Sequence, residues 1–146
     1  MTPDPYAPFR PRLARAVSLG VGVLAGLGTV VLVWATRDWV GPGDQVGFVL
    51  VGVLVVWFCW REASVAVLVD PDGLTVRNLV VRRRLRWAQV VSVRFGEGRP
   101  WVQLDLDDGD TVAAMGVQRS DGQRGMAEAR RLATLLARHT VTPSDD

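Results

Sequence analysis

The sequence predicts a two-helix transmembrane hairpin followed by a small antiparallel β barrel or sandwich with one C-terminal amphipathic α-helix. Three observations carry that prediction. Two uncharged apolar runs, Val17–Thr36 and Gln45–Trp60, lie close together near the start. From Ala63 onward apolar and polar residues alternate in short segments divided by turn residues. The last patterned segment, Gly125–His139, changes to helical spacing. The expected boundaries are a disordered Pro/Arg-rich lead at 1–15, a hairpin at 16–61 with helices at about 17–36 and 43–60, a β domain at 62–140, and a disordered tail at 141–146.

The lead, MTPDPYAPFRPRLARA, holds four prolines and a basic end, a composition that reads as disordered. The first apolar run would cover about 30 Å as a helix, the hydrocarbon thickness of a bilayer. The second covers about 24 Å and spans if Trp39 to Gly43 dip into one interface or the bilayer thins locally. A signal peptide fits poorly, because the first run exceeds an h-region, lacks an A-x-A site and is followed at once by a second run. Arg10, Arg12 and Arg15 precede the first run and Arg61 follows the second, whereas the RDWVGPGD loop has only Arg37 beside two aspartates. Short Arg-rich flanks stay in the cytoplasm. The expectation is therefore a multi-pass plasma-membrane protein with both termini and the β domain cytoplasmic. Trp34 and Trp39 would mark the outer interface, and Trp57 and Trp60 the inner one. Gly22 and Gly26 form a G-x-x-x-G pair that lets helix backbones approach closely. Such a pair serves a homodimer or packs on the second helix, and a two-helix hairpin favours the second use.

Within the domain, Ser64–Asp70 and Leu74–Leu79 read as strands joined by Pro71-Asp72-Gly73, which is turn chemistry. Arg82–Trp87, Val90–Phe95, Trp101–Asp107 and Thr111–Met115 follow as strands, with Gly116–Arg119 available for a short seventh. Ser120 to Gln123 fits a capping box at the start of the last helix. Met126, Ala129, Leu132, Ala133 and Leu136 would form that helix's apolar face.

Charge and chemistry exclude several classes. The net charge is +2, so no nucleic-acid partner is expected. All 17 basic residues are arginine, a choice consistent with high-GC codon usage. With no lysine there is no phosphate-binding P-loop, and no G-x-S-x-G elbow occurs. Cys59 is the one cysteine and His139 the one histidine, so neither a disulfide nor a zinc site is implied and no cofactor is expected. Asp105, Asp107, Asp108 and Asp110 read as a solvated hairpin tip, and a weak calcium site is the alternative.

The hairpin, the stretch DPDGLTVRNL, the stretch RRRLRWAQVVSVRF and one closing helix together resemble small bacterial pleckstrin-homology (PH) domain membrane proteins of the low-molecular-weight protein antigen 6 type. The most specific piece is Arg86-Trp87 followed by Val90 and Val93, which is similar to that family's R-W-x-x-V-x-x-V pattern. The resemblance implies a PH-like barrel of two roughly orthogonal sheets closed at one end by the C-terminal helix, with Trp87, Val90 and Val93 as structural positions. The turn at Asp70–Gly73 is short and acidic, unlike the basic first loop of lipid-binding PH domains.

Arg82, Arg83, Arg84 and Arg86 are the candidate membrane- or partner-binding residues. The leading expectation is a non-enzymatic, membrane-anchored PH-like module that docks a protein partner of unknown identity or organises an envelope complex at the inner face. The alternative is anionic lipid-headgroup binding through the same arginines.

Overall fold

The computed structural model describes residues 4–96 and 98–140. The tail at 141–146 and the first residues of the lead lie outside the described residues. The chain divides into two units, residues 14–64 and the remainder on either side of them.

The first unit is a pair of helices, α1 (Arg12–Thr36) and α2 (Pro42–Ala63), both long and apolar enough to cross a membrane. Each exceeds its apolar run. Pro42 stands in the first turn of α2, where its missing N–H costs nothing, and Asp44 favours the positive end of the helix dipole. At 22 residues α2 is about 33 Å long, its added turns carrying Asp44 at one end and Arg61 and Glu62 at the other. Most of the large apolar side chains point outward: Leu24, Val30, Val31 and Leu54 are among those exposed. The helices meet through small residues. A Cβ on Gly22 would stand 3.1 Å from that of Cys59, and one on Gly26 would stand 3.7 Å from Val56. Gly52 is tighter, since a Cβ there would lie 2.2 Å from the Thr29 hydroxyl. Gly22 and Gly26 therefore face the second helix of the same hairpin.

The second unit holds two three-stranded antiparallel sheets. One is β1 (Ala66–Asp70), β2 (Gly73–Arg77) and β3 (Arg82–Arg86); the other is β4 (Val90–Arg94), β5 (Trp101–Leu106) and β6 (Thr111–Gln118). Among the described residues no ladder joins the sheets, so they form no closed barrel. Residues 116–118 are not a seventh strand; they continue β6 past an irregularity opposite Trp101 and Val102. Gly116 lets β6 cross closely over β1, where a Cβ would fall 2.5 Å from the Val67 nitrogen. Val67, Val69, Leu74, Val76 and Leu85 from the first sheet meet Val102, Leu104 and Leu106 from the second in one core.

The closing helix, α3 (Gln123–Thr140), buries Gly125, Ala129, Leu132, Leu135 and Leu136. Met126 and Ala133, expected on that face, are exposed instead. The expected capping box does not form: Ser120 donates to the Gln118 side chain at 3.1 Å, and a short 3-10 turn at Arg119–Asp121 precedes the helix. Asp121 caps a different helix, accepting the N–H groups of Arg12 at 3.0 Å and Leu13 at 2.9 Å.

The expected disorder of residues 1–15 is corrected for the described part of that segment. Phe9 exchanges both backbone hydrogen bonds with Val67, each 2.9 Å, and its ring is fully buried. The segment thereby covers the outer edge of β1, which would otherwise expose unpaired backbone groups. The Arg131 guanidinium lies 3.8 Å from the centre of the Phe9 ring and donates to the Ala7 carbonyl at 2.9 Å. Proline content suggested a floppy lead, but two aromatic anchors, Tyr6 and Phe9, outweigh it.

Candidate functional site

Strand parity sorts the arginines. In β3, Arg83 and Leu85 face one way and Arg82, Arg84 and Arg86 the other. Leu85 is buried opposite Leu74, so Arg83 shares the inner face and Arg82, Arg84 and Arg86 the outer. Arg83 reaches the β5–β6 hairpin, where Asp108 lies at 3.8 Å and Asp110 at 3.6 Å. Those two aspartates belong to the cluster considered for calcium; here they face a cation. Among the described residues no group of acidic, His or Cys side chains is arranged to hold a metal ion.

The register adds a residue that the sequence reading left out of the patch. Arg77, the last residue of β2, stands directly opposite Arg82. Thr75 stands opposite Arg84 and Gly73 opposite Arg86. The outer face of the first sheet therefore carries Arg77, Arg82, Arg84 and Arg86. Of these, Arg84 pairs with Asp70 at 3.3 Å. Arg77, Arg82 and Arg86 have no ion pair among the described residues. Like charges directly opposite each other in a sheet are destabilising. An uncompensated Arg77–Arg82 pair is thus a local cost of the kind found where a surface binds something. The signal available in the sequence was strand parity across the connection at 78–81, which sets β2 against β3 and places Arg77 with the even-numbered arginines of β3.

The connection between these two strands, residues 78–81, has a fixed base and an apolar tip. Asn78 donates from its side-chain amide to the Ala113 carbonyl at 2.7 Å and accepts from the Met115 N–H at 3.2 Å. Its own N–H bonds the Val81 carbonyl at 2.9 Å, closing the turn. Beyond that base Val80 is 82% exposed and Val81 60%.

The residues expected as a structural signature sit at the joint between the sheets. Trp87 opens a 3-10 turn, Trp87–Gln89, that leads from β3 into β4. Its ring is buried and its indole N–H donates to the Asp70 carbonyl at 3.0 Å. Gln89 folds back to accept the Arg86 N–H at 2.9 Å. Val90 is buried in the core and Val93 packs against it.

On the outer face of the second sheet, Asp105 accepts from Ser92, Arg94 and Thr111. The Ser92 hydroxyl, then the Arg94 guanidinium, hold its carboxyl below the usual carboxylate value. This is a closed network on a sheet face, with each partner already used.

Comparison with known proteins fits these features. Residues 64–134 match the family described as Bacterial PH domain. The chain is similar to Uncharacterized protein Rv1417 of Mycobacterium tuberculosis, 33% identical over 118 residues that cover 81% of this chain and 73% of that protein. The same figures hold for Uncharacterized protein Mb1452 of Mycobacterium bovis. Low molecular weight protein antigen 6 of Mycobacterium tuberculosis is 32% identical over 79 residues, 44% of this chain and 70% of that protein. An aligned stretch of 118 residues cannot fit within the domain alone, so the first likeness extends into the apolar helices. No solved structure matches the chain. The matched domain and the relatives' names point to a non-catalytic protein. With its two small sheets, the Arg86-Trp87 joint between them and a single closing helix, the chain belongs to the bacterial PH-domain family.

Proposed function

We propose that the protein is a membrane-anchored, non-catalytic PH-like module whose arginine face binds anionic lipid headgroups at the inner surface of the plasma membrane. The observation that carries the reading is the register that gathers Arg77, Arg82, Arg84 and Arg86 on one face with a single carboxylate among them. Near an anionic surface each arginine contributes about 1 kcal/mol, falling off within a Debye length. A domain joined to two membrane-length helices meets that surface at high effective concentration, so modest intrinsic affinity suffices. Arg10, Arg12, Arg15 and Arg61 flank the two apolar runs and support the cytoplasmic side. The acidic turn at Asp70–Gly73 directs the reading toward general anionic lipid through the sheet face and away from a headgroup pocket in the first loop. No acidic partner surface is needed for this arrangement, which is why lipid is preferred to a docked protein.

The test uses the full chain in nanodiscs of phosphatidylcholine with and without phosphatidylglycerol, followed by hydrogen exchange. Exchange at residues 73–86 should slow when anionic lipid is present. High salt, or a combined R77A/R82A/R84A/R86A variant, should remove the effect. Exchange that ignores lipid charge and salt overturns the headgroup reading and leaves the arginines to an acidic protein partner.

A further inference from the structure

We infer that the β2–β3 loop is an apolar wedge: Val80 and Val81 insert among the lipid acyl chains while Arg77 and Arg82 hold the headgroup level. The inference rests on the membrane reading above and adds an orientation to it.

The loop's place in the fold points to lipid. β1 begins at Ala66, three residues after α2 ends at Ala63. Ala66 stands opposite Arg77, and Arg77 opposite Arg82. Residues 78–81 therefore project from the end of the sheet where the chain arrives from α2. The N-terminal segment agrees. Phe9 is bridged antiparallel to Val67, so the chain runs from Phe9 toward that same end before α1 starts at Arg12. Both covalent links to the apolar helices thus leave the domain at the end that carries the loop. A stretch of three residues reaches about 10 Å at most.

The loop's chemistry points the same way. Two valines stand exposed at 82% and 60%. Asn78 anchors the base of the loop to β6 through two hydrogen bonds. The flanking charges are cations on both sides, Arg77 and Arg82, with no carboxylate in the loop. Apolar residues at the tip with arginines just behind them match the order of a leaflet met from the cytoplasm, acyl chains beyond phosphates. A protein groove would supply the apolar site but has no need of a cation on each side.

The test places an environment-sensitive label on the tip of the full chain. In a Cys59→Ala background, Val80→Cys is modified with a nitrobenzoxadiazole dye and the protein is reconstituted in nanodiscs containing phosphatidylglycerol. The expected result is blue-shifted emission and quenching by nitroxides on the acyl chain. The same dye at Asp72→Cys, in the turn at the far end of the sheet, should show water-like emission and no such quenching. Val80 is so exposed that the change leaves the core intact, which a thermal melt by circular dichroism checks. Water-like emission at position 80 together with lipid-dependent protection of residues 73–86 overturns the wedge and keeps the headgroup reading. Water-like emission with no protection overturns both. A blue shift that appears only on adding soluble cell extract, without acyl-chain quenching, also overturns the wedge, because the valines then fill a protein site.

Discussion

Trp87 and His139 stack face to face, with ring centroids 4.9 Å apart and planes 7° from parallel. His139 is in the last turn of α3, and Trp87 is the first residue past β3. The edge of the imidazole meets the N-terminal segment, because Tyr6 Oη lies 3.1 Å from His139 Nε2. One side chain thus ties the closing helix to the joint between the sheets and to the strand-like lead.

His139→Ala should destabilise the domain by about 1 kcal/mol, the worth of an aromatic pair beyond its buried area. Tyr6→Phe should cost a similar amount, about 1 kcal/mol, through the lost hydrogen bond. Urea titration of the full chain in mild detergent, followed by near-ultraviolet circular dichroism of the tryptophans, measures both. A cost for the double variant smaller than the two single costs added together would show that the three rings act as one unit.

Phe9→Ala should be the most damaging change in the N-terminal segment, at about 3–5 kcal/mol. The ring is fully buried, and its loss also removes the aromatic face beneath the Arg131 guanidinium. Proteolysis offers a direct measurement. The variant should be cut within β1 far faster than the parent, while Phe9→Leu should retain most of the protection.

Gly52→Leu should part the two apolar helices, because the new side chain would occupy the space of Thr29. The effect is expected as a clear fall in thermal stability of the helical signal in detergent. Gly47→Leu is the control, since a Cβ there meets nothing within 4 Å. Equal melting of the two variants would mean that the close approach at Gly52 contributes nothing to the hairpin.

Asp105 gives the domain an acid-sensitive element. Its carboxyl titrates below the usual 3.8 because Ser92, Arg94 and Thr111 donate to the charged form. A lowered folded-state value adds stability that is fully present above the unfolded value and is lost as pH falls through the folded one. Stability should therefore drop below about pH 3.8, and Asp105→Asn should flatten that part of the profile. Chemical denaturation between pH 2 and 6 measures the slope.

Much of the fold was legible. The first two helices announce themselves as uncharged apolar runs, the strands and the last helix by period, and the Pro71–Gly73 turn and the Arg86–Val93 pattern name the domain type. What sequence reading missed depends on contacts distant in the chain. Residues 4–11 look disordered until β1 is there to pair with Phe9. Ser120 looks like a cap until Asp121 is seen holding the first turn of α1, more than a hundred positions earlier. For the candidate site, the arginine cluster was visible but its division was not. Four basic residues in a row of five suggest one patch, whereas a pleated strand sends Arg83 to the opposite face from its neighbours and brings in Arg77 from the partner strand.

On the membrane-anchored reading proposed above, the pairing of Phe9 with Val67 also constrains how the chain can be threaded through a lipid sheet. Two backbone groups in mutual hydrogen bonding have to be on one side of any barrier between compartments. Every path from residue 9 to residue 67 passes through α1 and α2, so the number of complete crossings along it is even. A topology in which one of the two helices traverses and its companion lies flat would tear this pair apart.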